Sequence, residues 1–363
     1  MIFSPLARFR LALCALLSVP LFVVGCDNPI AGKVAGKIFR APNKTPKNGL
    51  EFSRDVQDVA RKAYAETFSV NVQGAVLRVG VVEPGEYSFQ WTPKINGKNV
   101  WVEGPIKLSV TRTDAPAKGL LIMLHGFGCC KEQMLPWALE LASAGYRVAL
   151  VDLRGHGRST GEWVGFGALE KRDMIKVLDT LEQKGLGKIP VGILGVSYGA
   201  SVALDFAAED ARVNTVVAIE PFSSARAGIP EMARAAFPEY ASKISDRMFR
   251  SAFLIGANKG VFDWDETDTS RSVSRIHHPI LLIHGGSDTW LSPDHSRRLL
   301  SQAKLGSRLI VVPDETHVSL PLGMEKIGGD VRNWFDASLL KGADQNVDTS
   351  PSDEQITKKS PAL

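Results

Sequence analysis

The sequence has few cysteines, no internal repeat and only a small excess of positive charge. Its 363 residues include four cysteines, two of them the adjacent Cys129 and Cys130, so the spacing offers neither a disulfide framework nor a zinc site. The formal net charge is +4, and basic residues are not interleaved with aromatic ones, which argues against nucleic acid as a partner. The composition, 44% hydrophobic and 23% charged, is that of a globular protein long enough for a large core.

A long apolar run lies close to the N-terminus, over residues 11–26. Arg8 and Arg10 precede it, which is the arrangement of a secretory signal peptide, and the run is short for a transmembrane helix. We therefore predict a signal peptide over 1–25.

The apolar run ends in Val23-Val24-Gly25-Cys26, which resembles a bacterial lipobox. Cleavage before Cys26 would leave this cysteine as an acylated first residue, and several acyl chains suffice for stable anchoring. Asp27 in the next position resembles a signal for retention in the inner membrane. The sequence thus predicts a lipoprotein of the cell envelope that faces the periplasm, with an ordinary signal peptide and a chance cysteine as the alternative.

Polar segments flank the central part of the chain. Residues 26–50 are predicted to form the lipidated N-terminus and a flexible tether, because Lys, Pro, Gly and Asn dominate there. Residues 342–363 are polar with few apolar side chains and are predicted to be disordered. A single folded domain over 51–341 lies between them.

Within this domain, short apolar runs alternate with helical patterns from residue 120 onwards. Such runs predict strands buried on both faces, as in a parallel sheet, with helices on either side. Two earlier segments, 75–85 and 106–114, are predicted as antiparallel strands, with Glu83-Pro84-Gly85 as a turn. The alternation is interrupted over about 222–276, where a small helical insertion is predicted. The runs are GLLIMLHG, YRVALVDL, VGILGVS, VNTVVAIEPF, HPILLIHGG and SRLIVVPD.

The segment VGILGVSYGA, which starts at Val191, places a serine between a predicted strand and a predicted helix. Ser197 has a glycine two positions away on either side, the G-x-S-x-G pattern. A nucleophile at such a corner has strained backbone angles, and the glycines avoid a collision between strand and helix. The alternative is a plain strand-to-helix turn that contains a serine.

A serine nucleophile needs a base and an acid. His317 and Asp288 each follow a predicted strand, at the edge where an open α/β sheet places its site. The order serine, acid, histidine is the one that this type of fold uses. Asp294 is a weaker candidate for the acid because it lies at a predicted helix start, where an aspartate is a plain capping residue. Asp314 and Glu315 are weaker because, as close neighbours of His317, they do not easily reach round to its Nδ1.

Taken together, five motifs are similar to those of the α/β-hydrolase superfamily, in its serine aminopeptidase-like and esterase branch. The resemblance implies an α/β-hydrolase fold, with a lid before the strand that carries the acid. It implies Ser197, Asp288 and His317 as catalytic residues, and the backbone N–H groups of Phe127 and Tyr198 as the oxyanion hole. The motifs are HGFG from His125, DLRGHGRSTG from Asp152, GVSYGA from Gly195, HGGSD from His284 and DETH from Asp314.

These residues predict a serine hydrolase that cleaves a small carboxylic ester and needs neither metal nor cofactor. A serine peptidase or aminopeptidase on the same triad is the alternative, for which Glu220 or Glu231 would hold the free amine of the substrate. A catalytically idle binding protein is the third hypothesis. Cys129 and Cys130 are predicted to fill a tight loop, with a thiol-reactive role at a helix N-terminus as the alternative.

Overall fold

The computed structural model describes residues 29–44, 54–96, 99–103, 106–236 and 238–340. Its centre is an eight-stranded sheet made of β1 (Glu66–Val72), β2 (Ala75–Val82), β7 (Leu120–Leu124), β8 (Arg147–Asp152), β9 (Val191–Val196), β10 (Val213–Ile219), β11 (Ile280–Gly285) and β12 (Arg308–Val312). The strands lie side by side in the order β1-β2-β8-β7-β9-β10-β11-β12. Strands β7 to β12 are parallel to one another, whereas β2 is antiparallel to both of its neighbours, β1 and β8, so the prediction of a mostly parallel sheet is confirmed.

Helices cover both faces of the sheet because its strands are apolar on both sides. In β7, Ile122 and Leu124 join one hydrophobic core and Leu121 and Met123 the other, as alternation along a strand requires. The first core is covered by α4 (Glu170–Gln183), α5 (Tyr198–Ala207) and α10 (Asp294–Gln302). The second is covered by α2 (Arg54–Ala63), α3 (Leu135–Ser143) and α11 (Met324–Leu339).

Segments 75–85 and 106–114 both form antiparallel strands, as predicted, but the two do not pair with each other. After the turn at Glu83-Pro84-Gly85 the chain forms β3 (Gly85–Gln90), which pairs with β6 (Lys107–Arg112). Strand β2 instead lies between β1 and β8 in the central sheet. A strand pattern does not specify its partner, and the intervening hairpin of β4 (Pro93–Asn96) and β5 (Asn99–Val102) was not predicted.

The predicted flexible tether is wrong for residues 29–44. Residues Pro29–Phe39 form helix α1, and Pro42–Lys44 a 3-10 turn. Ala31, Val34 and Ala35 are buried along one side of α1, and Phe39 is buried at its end. This helical spacing of small apolar residues provides a packing face that composition alone did not reveal.

The helical insertion predicted over about 222–276 is present between β10 and β11. It contains α6 (Ala225–Ala236), α7 (Pro238–Ala241), α8 (Asp246–Gly260), a 3-10 turn at Trp264–Thr267 and α9 (Thr269–Val273). Inside it, the ring of Phe253 stacks on Trp264 with centroids 4.4 Å apart, and the Phe39 ring packs edge-on against Trp264 at 5.9 Å. The insertion, called the lid below, is thus held to the domain by α1.

The described part of the chain has no helix long and apolar enough to cross a membrane. The predicted signal peptide over 1–25, Cys26 and Asp27 lie outside the described residues, as does the predicted C-terminal tail over 342–363.

Candidate active site

Ser197 lies at a sharp corner between β9 and α5. Its backbone angles are φ 53° and ψ −113°, which residues with a side chain adopt rarely. A Cβ at Gly195 would collide with the backbone of Gly199, and a Cβ at Gly199 with the backbone of Leu124. The close approach of strand and helix therefore requires glycine at both positions.

The structure brings Ser197, His317 and Asp288 together. Nε2 of His317 lies 2.9 Å from Oγ of Ser197, and Nδ1 lies 2.7 Å from Oδ2 of Asp288. With an ionised Asp288, Nδ1 carries the hydrogen and Nε2 accepts from the serine hydroxyl. The ring of Trp290 stacks on the imidazole at 5.3 Å, so the three side chains form an oriented and buried chain.

Hydrogen bonds stabilise the ionised form of Asp288. Its Oδ1 accepts from the N–H groups of Trp290 (2.7 Å) and Leu291 (3.0 Å), and Nε2 of His284 lies 3.3 Å from Oδ2. Burial by itself would raise the pKa of this carboxyl, but the hydrogen bonds with His284, His317 and Leu291 outweigh it and hold the pKa below its ordinary value. Asp288 is therefore an anion at neutral pH.

The two predicted oxyanion donors lie beside the corner at Ser197. Tyr198 is the first residue of α5, where a helix leaves its N–H groups without partners inside the helix. Phe127 lies in the loop after β7, and its ring packs edge-on against the Tyr198 ring at 5.7 Å. In the part of the chain that the structure covers, neither backbone N–H donates to another backbone carbonyl. Both N–H groups are thus free to receive a ligand oxygen.

A family model described as the alpha/beta hydrolase family matches residues 121–325, which contain all of these groups. The chain belongs to the alpha/beta hydrolase family.

Among curated proteins, the hydrolase is similar to the uncharacterized protein YqkD of Bacillus subtilis. The two are 25% identical over 199 residues, 54% of this chain and 64% of that protein. The thiohydrolase aneE of Aspergillus aculeatus is 32% identical over 123 residues, 33% of this chain and 38% of its own. The matches thus span less than two thirds of either relative.

Solved structures share the fold. The esterase Pf2001 of Pyrococcus furiosus superposes with a TM-score of 0.54 at 17% identity, over 79% of this chain and 96% of that one. The 2,6-dihydroxy-pseudo-oxynicotine hydrolase gives 0.58 at 19% identity, over 93% and 82%. The predicted α/β-hydrolase fold is confirmed.

The other candidate acids lie away from the imidazole of this hydrolase. Asp294 is exposed at the start of α10, where it pairs with Arg297. Asp314 is exposed in the loop before His317. Neither contacts His317 among the described residues, which leaves Asp288 as the ionised partner of Nδ1.

Glu220 and Glu231, the two candidate anchors for a free substrate amine, lie in two different environments. Glu231 accepts the N–H of Ser292 at 2.7 Å and contacts Nε2 of His295 at 3.0 Å. Glu220 is completely buried after β10, and its Oε2 lies 3.5 Å from Nδ1 of His317. The sequence did not predict that Glu220 lies beside Nδ1 of His317. Its place directly after a buried strand, like that of Ser197, could have indicated a position at the site.

The two cysteines of the loop after β7 are free thiols. Burial raises the pKa of Cys129 to about 12 and that of Cys130 well above its ordinary value. The Cys130 thiol also donates to Glu132 at 2.9 Å. Both groups are therefore protonated at neutral pH, which favours the packing role over the thiol-reactive one.

A cluster of potential metal ligands, Cys130, Glu132 and Asp152, lies near this loop. The Nζ of Lys131 lies among them, 2.6 Å from Glu132 and 2.9 Å from Asp152. Its ammonium group already compensates the buried carboxylates, so the cluster is an ion-pair network rather than a set of free ligands.

Proposed function

We propose that this hydrolase cleaves a carboxylic ester through an acyl-enzyme on Ser197, with His317 and Asp288 completing a catalytic triad. The continuous hydrogen-bond chain from Oγ through both imidazole nitrogens to the carboxylate carries the proposal. Such a chain activates a hydroxyl that is a weak nucleophile by itself. The esterase among the structures of the same fold is consistent with this chemistry.

In the proposed reaction, Oγ of Ser197 attacks the ester carbonyl while Nε2 of His317 takes its proton. The N–H groups of Phe127 and Tyr198 donate to the resulting oxyanion, and each such donor stabilises the transition state by about 3 kcal/mol. The imidazolium, held by Asp288, then protonates the leaving alcohol. Deacylation repeats these steps with water as the nucleophile.

The contacts of the two glutamates support ester over peptide substrates. An aminopeptidase needs a carboxylate that faces the substrate amine, and Glu231 is engaged by the Ser292 N–H and His295. Glu220 is buried behind His317. The intact hydrogen-bond chain also argues against a catalytically idle binding protein.

The proposal is tested by substrate class. The full chain is assayed with p-nitrophenyl esters of short and long acyl chains, with acyl thioesters, and with aminoacyl anilides; the thioesters are included because a thiohydrolase is among the relatives. We expect turnover of esters, little turnover of anilides, and covalent labelling of Ser197 by a fluorophosphonate. Anilide cleavage faster than ester cleavage would establish the peptidase instead.

We also propose that the hydrolase is anchored by lipid on Cys26 to a bacterial membrane, facing the periplasm, with Asp27 favouring the inner membrane. The support is the lipobox-like segment at 23–26.

A further inference from the structure

The carboxyl group of Glu220 is the buried polar group of the site that the proposed mechanism leaves unused. Its side chain is 0% exposed, and neither carboxyl oxygen makes a hydrogen bond of normal geometry in the described part of the chain, although the Gly285 backbone N–H lies close to it. The backbone is held in place, because the Glu220 N–H donates to the Ile283 carbonyl at 2.8 Å while φ is 55°. The fold thus directs a buried, weakly partnered carboxyl toward the active site.

Glu220 and Asp288 face the same nitrogen of His317. Nδ1 lies 2.7 Å from Asp288 and 3.5 Å from Glu220, and one polar atom from each of the three residues lies within 4.8 Å of the others. Two carboxylates this close in a buried site do not both ionise. Burial and the nearby charge of Asp288 raise the pKa of Glu220 well above its ordinary value.

The surrounding groups decide which carboxyl is charged. Asp288 accepts hydrogen bonds from two backbone N–H groups and contacts His284. Neither those two N–H groups nor His284 donates a hydrogen bond to Glu220 among the described residues. Glu315, a third carboxylate nearby, is compensated by Lys326. Asp288 therefore carries the negative charge and Glu220 carries a proton.

We propose that Glu220 is a positioning residue for His317, a reserve acid that stays protonated while Asp288 is ionised and ionises in its place when Asp288 is neutralised. In that event the Glu220 carboxyl releases its proton to solvent and accepts the hydrogen of Nδ1. The proposal rests on the proposed triad, because it assigns a second partner to the same imidazole.

A double-mutant cycle with pH as the variable tests this. Full-length wild type, Glu220→Gln, Asp288→Asn and the double variant are compared for kcat on an activated ester from pH 5 to pH 10. Glu220→Gln is the reference for the cycle, since glutamine keeps the size of the protonated carboxyl and cannot ionise. Asp288→Asn should regain activity as the pH rises, and the double variant should lose that rise and fall at least about thirtyfold below it.

The outcomes separate this inference from the triad itself. If Glu220 only fills space, Glu220→Gln has the same effect in both backgrounds at every pH, and the inference is wrong. If Ser197→Ala keeps its activity, the triad is wrong and this inference falls with it; if Ser197→Ala is inactive but Asp288→Asn shows no rise with pH, only this inference is wrong. The cycle is repeated with Asp288→Ala, and thermal unfolding of each variant identifies any that fails to fold.

A second inference concerns the outer surface of α1 and α8, which we call the basic face. The two helices pack against each other through Val34, Ala35 and Ala252, and each helix also has an exposed side. Cations lie along these sides and at the helix ends, with Lys37 half-buried and the others exposed, and no carboxylate lies within ion-pair distance of them among the described residues. The cations are Lys33, Lys37, Arg40, Lys243, Arg247, Arg250 and Lys259.

Apolar side chains accompany these cations. Leu254 is 60% exposed, in helical register with Arg247 and Arg250, and Val261 is 81% exposed at the end of α8. The single acid within α1 and α8 is Asp246, which is paired with Arg234. Unpaired cations around exposed aliphatic groups are complementary to anionic headgroups above an apolar layer.

We propose that the basic face docks on an anionic phospholipid bilayer and so places the lid at the membrane surface. The charge complementarity carries this inference. The proposed lipid on Cys26 agrees with it, since α1 begins at Pro29, close to that position in the sequence.

The test uses a fluorophore on the lid. The full chain with Asn258→Cys, a site exposed on α8, is labelled with an environment-sensitive dye and bound to phosphatidylcholine vesicles with or without phosphatidylglycerol. We expect a blue shift only with phosphatidylglycerol, and its loss in Arg247→Glu/Arg250→Glu. Lys304→Glu/Arg308→Glu, which reverses two cations beside and within the edge strand β12, is the matched control and should keep the shift.

Two measurements separate docking of the basic face from anchoring by the lipid on Cys26. Co-sedimentation with vesicles reports attachment of the chain, whereas the dye reports the position of the lid. A chain that sediments with both vesicle types but shows the same emission in both, or an unchanged shift in the Arg247/Arg250 variant, would overturn the docking proposal and leave the anchor standing.

Discussion

At the residue scale, Ser197 and Glu220 share a strained backbone, with φ of 53° and 55°. Such angles cost about 1–3 kcal/mol for a residue with a side chain. Each residue directly follows a buried strand and donates its N–H to the next strand, Ser197 to Ile219 and Glu220 to Ile283. These hydrogen bonds and the packed strands hold both side chains toward His317 despite the strain.

Replacing Ser197 by alanine should abolish ester turnover, with a loss of at least about a thousandfold in kcat, because no other hydroxyl of the described residues lies against Nε2 of His317. The midpoint of thermal unfolding should stay close to that of the wild type, since alanine fits the same corner. Ser201→Ala, a control on the same helix, should retain activity within about tenfold. Survival of most activity in Ser197→Ala would remove this residue from the mechanism.

The identity of the acid is tested by comparing two aspartates. At pH 7, Asp288→Asn should lower kcat at least about a hundredfold, because asparagine favours the wrong tautomer of His317. Asp294→Asn removes only an exposed ion pair with Arg297 and should change kcat less than about threefold. The opposite ranking in the same assay would transfer the role to Asp294.

At the element scale, α5 begins directly after Ser197, the proposed nucleophile, and carries a buried acid farther along. Asp205 is fully buried, and its oxygens make no hydrogen bond of normal geometry among the described residues, although the Ser272 side chain and the charge of Lys171 partly oppose the effect of burial. Burial raises its pKa to about 7. The folded protein therefore binds this proton more tightly than the unfolded chain does.

It follows that Asp205 lowers stability as the pH rises. Between the ordinary pKa of an aspartate and about 7, the folded state keeps the proton that the unfolded state has lost, so the free energy of unfolding decreases with pH. Asp205→Asn should remove this dependence and be more stable than the wild type at pH 8. The upper limit of the gain in the free energy of unfolding is on the order of 4 kcal/mol, at about 1.4 kcal/mol per unit of pKa. Urea unfolding at pH 5 and pH 8 measures the difference.

Asp210, just beyond the same helix, is a control of opposite sign. Hydrogen bonds from Arg212 outweigh burial and lower its pKa, so Asp210→Asn should reduce stability at pH 8. Equal losses in both variants would mean that Asp205 is ionised and compensated in the folded protein, and would contradict the predicted destabilisation.

At the scale of the whole molecule, α1 links the start of the described chain to the lid. Phe39 at its end packs against Phe253 of α8 at 6.0 Å and against Phe166 at 5.4 Å. A lipid anchor before α1 would thus act on the lid directly rather than through a long spacer.

Anchoring itself is tested at Cys26. The wild type should fractionate with membranes, incorporate labelled palmitate and gain the mass of acyl chains, whereas Cys26→Ser should not be acylated. Cys14→Ser, within the predicted signal peptide, should be acylated normally. Equal palmitate incorporation into wild type and Cys26→Ser would refute the lipobox interpretation.

Features that depend on neighbours along the chain were predictable from the amino-acid order. Apolar runs predict the strands from β7 onwards, and the glycines around Ser197 predict the corner between β9 and α5. Because parallel strands place their carboxyl ends at one edge, the nucleophile, acid and base could be chosen from separate motifs. The lid was recognisable as a break in the alternation.

Strand pairing, helix α1 and the position of Glu220 depend on contacts between segments far apart in the sequence and became visible only in the folded structure. The pairing of β2 with β8, and of β3 with β6, follows from packing and not from strand patterns. Helix α1 escaped prediction because small apolar residues become a packing face only against α8. Glu220 faces His317 because the sheet places β10 beside β11 and the loop after β12 close by, an arrangement that arises when the whole sheet assembles and that no local pattern encodes.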